Sequence, residues 1–422
     1  MDPRDEDVRA RIAVISFHTS PWDQPGTGDS GGMNVYVRAV AERLAARGVA
    51  VDVFTRCAGR GVPEVDRPAR RLRIIQVPAG PCAPVDKAGL PSLVPAFSEA
   101  VVGHPAASPP YDLVHAHYWL SGSVARRARR RWGVPLVASF HTLGKVKNLA
   151  LRESSEPSGR LEGETAIIRE ADRILAPTPS EAAHLEWLYG APAARIRVVP
   201  PGVDAARFHP RPPGPARAAL GLGGKRVALF VGRLQLLKGP DVAVRAVAEA
   251  VARDPGATRD LVLAVVGGPS GAEAIAARHL TELAARLGIP GRVRLFDPRP
   301  HGRLPEVYAA ADVLLMPSRS ESFGLVALEA QASGVPVVAA EVGGLRTVVA
   351  DGRTGYLVPG HDPGPYAERL LAILRDDGAR VRMGRGGVRH AARFPWEATA
   401  GRALDVYAEL VPRISEAEEI PA

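Results

Sequence analysis

Short, wholly apolar runs alternate with amphipathic stretches of helical length along almost the whole chain, and this pattern admits few folds. Arg11 to Phe17 (RIAVISF), Tyr111 to His117 (YDLVHAH), Val134 to His141, Arg226 to Val231, Leu261 to Val266, Val293 to Phe296, Val313 to Met316 and Val335 to Ala340 read as strands buried on both faces. Val49 to Thr55, Arg71 to Pro78, Arg173 to Pro177 and Arg195 to Val199 add further strands. Helical patterns stand between them at Met33 to Arg47, Gly159 to Ala171, Ser180 to Tyr189, Asp241 to Arg253, Glu273 to Leu287 and Leu304 to Ala310. Strands that alternate with helices build parallel sheets covered on both faces. Pro200 to Pro215 (PPGVDAARFHPRPPGP) interrupts the pattern, is rich in proline and aperiodic, and reads as an interdomain linker. The expected fold is α/β: two doubly wound, Rossmann-like parallel-sheet domains facing a central ligand cleft. The N-terminal domain spans 1–205, the C-terminal domain 206–392, and a last helix within 393–422 is free to cross back to the first domain.

A chain of 422 residues is long for a single core, which agrees with two domains. No apolar run reaches the ~20 residues of a membrane span, and the acidic start MDPRDEDVR is not a secretory signal. Cys57 and Cys82 make no metal or disulfide framework, so a reduced, cytoplasmic setting is expected. The net charge of +9 admits nucleic acid, an anionic membrane or a phosphorylated small molecule as partner. No nucleic-acid module is present. The dense basic run Arg126 to Arg131 reads as a solvated helix face. Lysine is scarce, at Lys87, Lys145, Lys147, Lys225 and Lys238, so each marks a place where a compact ammonium was kept although arginine is the usual cation.

The stretch Pro317 to Gly344 organises the second half as strand, polar turn, helix and strand. Its helix should start near Phe323, with Ser320 or Ser322 as N-cap, and stop at Gly334. Glu321 and Glu329 stand eight residues apart, ~12 Å if the interval were helical, which suits two groups of one long polar ligand better than a shared metal. Arg233 and Lys238 follow the first strand of this half. Two cations at one strand end and two carboxylates at another suit a ligand with phosphates at one end and hydroxyls at the other. The competing reading of these four residues is ordinary surface charge. In the first half, the loop His18 to Gly32 (HTSPWDQPGTGDSGG) is far longer than a connection needs, and it delivers Gly31 and Gly32 to a helix N-terminus that favours an anion. His115 and His117 share one face of a strand, as a zinc pair or, with no third ligand nearby, as polar site residues.

SESFGLVALEAQASG with its Glu-x7-Glu, and GRLQLLKGPD, resemble the nucleotide-sugar domain of retaining glycosyltransferases of family 4, which have the GT-B fold. The resemblance spans nearly the whole chain. HTSPWDQPGTGDSGGMNVYV, AHYWLSG and HTLGKVKN narrow it to the branch that glycosylates inositol phosphate in mycothiol biosynthesis. It implies a hexosyltransferase that moves N-acetylglucosamine from UDP-N-acetylglucosamine to 1D-myo-inositol 3-phosphate with retention. On the donor side, Arg233 and Lys238 would bind the diphosphate, Glu329 the ribose, Glu321 the sugar and Arg299 the uracil edge. Gln24, Pro25 and Gly32 would close over the donor.

On the acceptor side the resemblance implies His18, Asp29, Ser30, Gly31, Gly32, Met33, Asn34, Lys87, Tyr118, Thr142 and Arg160. His117 would stand near the anomeric centre and, with Arg233, Lys238 and Glu321, form the catalytic set. Arg160 lies in RLEGE, where Glu162 replaces a commonly apolar residue; pointing inward, it would weaken the binding of a phosphate. The family's magnesium, held mostly by backbone carbonyls, would fall on Tyr308, Ala309, Ala311 and Val335. With no side-chain ligand set it would be structural, and the chemistry would require no cofactor. A homodimer is allowed, and neither nucleic acid nor an integral membrane segment is expected. The open alternatives are a family 4 transferase using another phosphorylated or lipid acceptor, a UDP-N-acetylglucosamine epimerase, and a silent nucleotide-sugar binding protein.

Overall fold

The computed structural model describes residues 10–26, 28–59, 61–107, 111–151, 156–270 and 274–417. Two compact units emerge. The first comprises Met1–Asp23, Gly32–Pro200 and Trp396–Ala422; the second comprises Gln24–Gly31 and Pro201–Pro395. The eight residues Gln24–Gly31 thus group with the second unit although the sequence places them within the first. The terminal helix Trp396–Ala408 groups with the first unit, where Tyr36 meets Trp396 edge-on with ring centroids 5.9 Å apart.

The first unit is built on eight strands: β1 (Arg11–Ile15), β2 (Ala50–Arg56), β3 (Val65–Ala69), β4 (Leu72–Val77), β5 (Leu113–His117), β6 (Leu136–Ser139), β7 (Arg173–Ala176) and β8 (Ile196–Val198). They lie in the order β3-β4-β2-β1-β5-β6-β7-β8. All neighbours are parallel except β3, which pairs with β4 antiparallel as an edge strand. The second unit carries β9 (Arg226–Val231), β10 (Leu261–Val266), β11 (Val293–Phe296), β12 (Val313–Met316), β13 (Val337–Ala340) and β14 (Gly355–Val358) in the all-parallel order β11-β10-β9-β12-β13-β14. The central strands are buried along nearly their whole length because helices cover both sheet faces, and so they read as unbroken apolar runs. Two apolar clusters flank the second sheet, one centred on Leu263 and Leu315, the other on Leu314 and Val337. In both sheets the strand order reverses at the first strand, β1 or β9, and the crevice that this leaves at the carboxyl ends is where doubly wound folds bind ligands.

Four expectations need correction. Cys57 and Cys82 are joined by a disulfide, with Cα atoms 5.1 Å apart. Parallel pairing of β2 with β4 sets Cys57, just past β2, beside the start of the loop after β4 that carries Cys82, which spacing alone does not reveal. The proline-rich stretch is not a slack linker throughout. Phe208 is 1 % exposed in the second unit's core, Val203 N–H bonds to Phe394 O at 2.8 Å, and a helix starts at Pro213. The basic run is only partly solvated, since Arg126 and Arg130 pair with Glu170, Arg129 with Asp172 and Arg127 with Glu99. The helix after β12 runs Leu325–Ala332 and starts behind Gly324 without a side-chain cap, so neither Ser320 nor Ser322 serves as one.

Asp52, 3 % exposed on β2, accepts from Arg73 Nε at 2.5 Å and from the Tyr111 hydroxyl at 2.7 Å, with Arg11 at 3.6 Å. Removing one partner of such a buried set strands the others without compensation. Asp52→Ala is therefore expected to lower unfolding free energy by about 3 kcal/mol in a denaturant titration.

Candidate functional site

Beyond β9 the chain turns through Arg233 into a single 3-10 turn, Leu236–Lys238, before the helix Pro240–Arg253. Beyond β12, the neighbour of β9 at the reversal, runs the loop Pro317–Gly324. Arg319 zips the two together. Its N–H donates to Leu237 O at 2.7 Å, and its guanidinium bonds to the Leu236 carbonyl and to Asp241. In consequence Lys238 Nζ donates to Glu321 Oε2 at 2.6 Å. Two glycines are required for this approach. Gly239 has φ +68° and any Cβ there would collide with the Pro317 carbonyl, while a Cβ on Gly343 (φ +44°) would collide with the Glu321 carbonyl. Lys238 and Glu321, expected from the sequence as separate parts of the site, form one ion pair.

Glu329, on the helix Leu325–Ala332, is 4 % exposed and accepts from His301 Nε2 at 2.7 Å and from the Tyr308 hydroxyl at 2.8 Å. Burial and the Glu329 charge push the Tyr308 hydroxyl well above its ordinary pKa, which keeps it a donor. His301 was missed by sequence reasoning, although it lies in the segment FDPRPHGRL that supplied Arg299; nothing in spacing links it to Glu329. The loop Gln24–Gly31 lies against the same unit. The Ser270 hydroxyl donates to Gly28 O, and a Cβ on Gly26 would stand 3.6 Å from Pro298, the residue before Arg299. A Cβ on Gly31 would stand 3.9 Å from Arg233 Nε. Gln24 and Pro25 lie on this loop, so the first-half donor candidates other than Gly32 belong to the second unit. Asp29, Ser30 and Gly31 do as well, whereas Gly32, Met33 and Asn34 open the first unit's helix Gly32–Ala46.

In the first unit the acceptor candidates converge on Tyr118, at the reversal between β1 and β5. The His18 ring centroid lies 4.5 Å from that of Tyr118. Arg160 stands over the same ring at 5.1 Å and Lys87 Nζ at 5.4 Å. Arg160, 3 % exposed, bonds through Nη2 to Thr142 O and Oγ1 at 3.1 and 3.0 Å, through Nε to Glu164 at 2.8 Å and through Nη1 to Glu156 at 2.7 Å. Burial works against the Arg160 charge, but Tyr118, Glu164 and Glu156 outweigh it and raise its pKa. Glu164 also accepts the Gly144 N–H at 3.0 Å. Glu162 is exposed, two positions round the helix from Arg160, so its charge does not enter the cluster. Asn34 donates to Thr19 Oγ1 at 2.9 Å and Ser20 O at 2.6 Å, which ties down the loop after His18.

Tyr118 (φ 77°) and His141 (φ 60°) are the non-glycine residues with positive φ among those described, one just past β5 and one just past β6. Backbone held in this region collects at functional sites. Beside them, His117 Nδ1 bonds to His141 Nε2 at 2.9 Å, and His115 bonds to the Tyr407 hydroxyl at 2.7 Å and Ser139 Oγ at 2.9 Å. Burial pushes His115 and His141 down to about 3, and burial with both neighbours pushes His117 well below its ordinary value. These are neutral, hydrogen-bonded histidines, and a zinc pair is not formed, since no group of three His, Cys, Asp or Glu among the described residues could hold a metal.

The expected magnesium residues lie elsewhere. Tyr308, Ala309 and Ala311 precede β12 and Val335 precedes β13, at the amino ends of the strands. The Tyr308 carbonyl accepts Ala311 N–H at 3.0 Å, and Arg217 donates to Ala310 O at 2.9 Å and to Asp312 at 2.8 Å. Arg217 is paired with Asp312, and Mg2+ keeps several of its own waters, so backbone carbonyls at this place would supply only part of its octahedron, in a structural role. A cavity of about 660 Å³ bordered by Arg353, Arg382, Arg389 and Arg393 likewise opens beside the amino end of β14, away from both clusters.

The three histidines set a pH dependence. Their folded pKa values lie below the unfolded value near 6.5, so the unfolded state binds more protons once pH falls below that value. Stability is then lost from about pH 6.5 down towards pH 3, by roughly 1 kcal/mol per histidine for each pH unit. Denaturation midpoints at pH 7 and pH 5.5 should differ accordingly, and His115→Gln should narrow the gap.

Residues 31–202 match the family described as "Glycosyl transferase 4-like domain", and residues 216–390 the family "Glycosyl transferases group 1". The chain is 50% identical over 411 residues to D-inositol 3-phosphate glycosyltransferase 2 of Catenulispora acidiphila, covering 96% of each. It is 52% identical over 402 residues to the D-inositol 3-phosphate glycosyltransferase of Nocardia farcinica, covering 94% of this chain and 89% of that one. Among solved structures, sucrose-phosphate synthase from Thermosynechococcus elongatus superposes with a TM-score of 0.87 at 33% identity, covering 96% of this chain and 99% of the other. Anabaena HepE in complex with UDP-glucose gives 0.73 at 20% identity, over 96% and 100%, a likeness of fold alone. With two parallel-sheet units, a polar cluster at the reversal of each and relatives of this similarity, the chain belongs to the D-inositol 3-phosphate glycosyltransferase family of GT-B hexosyltransferases.

Proposed function

We propose that this enzyme transfers N-acetylglucosamine from UDP-N-acetylglucosamine to 1D-myo-inositol 3-phosphate, with retention, releasing UDP in the first step of mycothiol biosynthesis. The observation that carries the reading is the convergence of Lys87 and Arg160 on the Tyr118 ring beside Thr142. Two cations, one exposed and one buried and fixed, with the Thr142 hydroxyl beside the buried one, make a receptor for a phosphate on a small polyol. The names of the curated relatives point to the same acceptor.

On the donor side, Arg233 and Lys238 take the diphosphate, Glu321 the sugar hydroxyls and Glu329 the ribose. Before the donor arrives, Glu321 balances Lys238; the diphosphate then becomes a second partner for the ammonium. As the glycosidic bond breaks, Arg233 and Lys238 meet the charge growing on the leaving oxygen, and that oxygen takes the proton of the acceptor hydroxyl on the same face. Burial and its neighbours hold His117 uncharged, so it orients by hydrogen bonding and is no proton donor at neutral pH. A cytoplasmic setting belongs to the same reading.

An acceptor screen with UDP-N-acetylglucosamine tests it. Turnover is expected with inositol 3-phosphate, with kcat/KM at least about 100-fold lower for unphosphorylated inositol. Equal rates for the two acceptors, or conversion of the donor sugar with no acceptor present, would sink it, the latter in favour of an epimerase. Lys87→Ala should raise the acceptor KM about 10- to 100-fold and leave the donor KM nearly unchanged. Lys238→Ala should lower kcat by about 10²- to 10³-fold.

A further inference from the structure

Arg56 ends β2 at 5 % exposure, and its guanidinium serves backbone carbonyls: Cys57 O at 2.9 Å, Pro81 O at 2.8 Å and Ala83 O at 2.7 Å. Burial lowers its pKa, yet the charge is retained to hold this loop. Between Pro81 and Ala83 stands Cys82, bonded to Cys57. The segment after β4 is thus pinned to the end of β2 by one covalent bond and by hydrogen bonds on both sides of it. Lys87 follows five residues later, directly before the helix Leu90–Val102, with its ammonium 5.4 Å from the Tyr118 ring centroid. Without the pin, Lys87 would be held through the backbone only from its other side, where Leu90 N–H at the start of the helix meets Lys87 O at 3.4 Å, and the tolerance of a charge-assisted bond to a phosphate is small.

We propose that Arg56 and the Cys57–Cys82 bond are positioning groups for Lys87, and that reduction of this bond by a cellular thiol loosens the acceptor site. The inference rests on the acceptor reading given above. In the redox step a thiolate of the reductant attacks Cys82 Sγ, which is half-buried where Cys57 is 9 % exposed, and Cys57 leaves as a thiolate. A second thiol then attacks the mixed disulfide and releases Cys82. Two electrons and two protons pass from two thiols to the protein pair, and the reductant departs as its own disulfide. A disulfide in an enzyme exposed to cellular thiols is most often redox-responsive, and this one sits on the loop that carries an acceptor cation.

The full-length enzyme is assayed oxidised and after dithiothreitol, with thiol titration to verify opening of the bond. The expected result is a rise of about tenfold in acceptor KM, with kcat and donor KM within about twofold. Reoxidation restores the value, and a Cys57→Ser/Cys82→Ser double variant sits at the high KM and no longer responds. Arg56→Gln raises acceptor KM likewise, and Arg56→Lys recovers part of the loss. A variant whose melting temperature falls while acceptor KM stays constant reduces these groups to structural ones and overturns the proposal. Lys87→Ala separates the two levels. If it raises acceptor KM but reduction does not, this inference fails alone; if it has no effect, the acceptor reading fails first. Hydrogen exchange needs no substrate: reduction is expected to speed exchange of the amides in 79–89 and leave the other strand-end loops unchanged, and equal exchange in both states overturns the proposal.

Discussion

Both sheets reverse their strand order at the first strand, and the chemistry follows from that one topological constraint. A chain that adds strands on one side of β1 or β9 and then returns to the other leaves two loops diverging at the carboxyl ends, with nothing of the sheet to fill the space. His18 and Tyr118 occupy that position in one unit, and Lys238 and Glu321 in the other. The flanking residues serve mainly to hold these loops. Arg319 zips the loops of Lys238 and Glu321 together, Gly239 and Gly343 let the backbones approach, and Glu164 with Glu156 fixes Arg160.

Electrostatics differ between the two clusters in an instructive way. Lys238 and Glu321 neutralise each other. Arg160 is embedded in carboxylates yet remains cationic, while the histidines behind Tyr118 are stripped of charge by burial. The first unit thus offers a fixed positive face backed by neutral, hydrogen-bonded rings. Tyr118 and His141 accept unfavourable φ values at the seam between the two.

What was legible in the sequence is what local pattern encodes. The central strands announce themselves because both of their faces are covered. The edge strand Val65–Ala69, VDRPA, has four exposed residues in five and no apolar signal, and the helix Leu90–Val102 carries prolines at 91 and 95 that mask its period. Arg233, Lys238, Glu321 and Glu329 could be named as candidates by motif and spacing, but the pairing of Lys238 with Glu321 could not be read there. His301 on Glu329, Glu156 and Glu164 on Arg160, and Cys82 on Cys57 were not legible either, because each pairing joins elements that meet only once the sheets have formed. Lys87 and Arg160 could be named one by one, but their shared ring is a tertiary fact.

The chain passes between the two compact units four times, after residues 23, 31, 200 and 395. Neither unit is therefore a continuous stretch of gene. A break at the proline-rich segment would leave the first fragment without its closing helix and the second without the glycine loop that lies against Arg233. Such a protein cannot be assembled by fusing two ready-made modules end to end; its halves have to be inherited together, and swapping one of them between relatives means exchanging three separate pieces or two, never one.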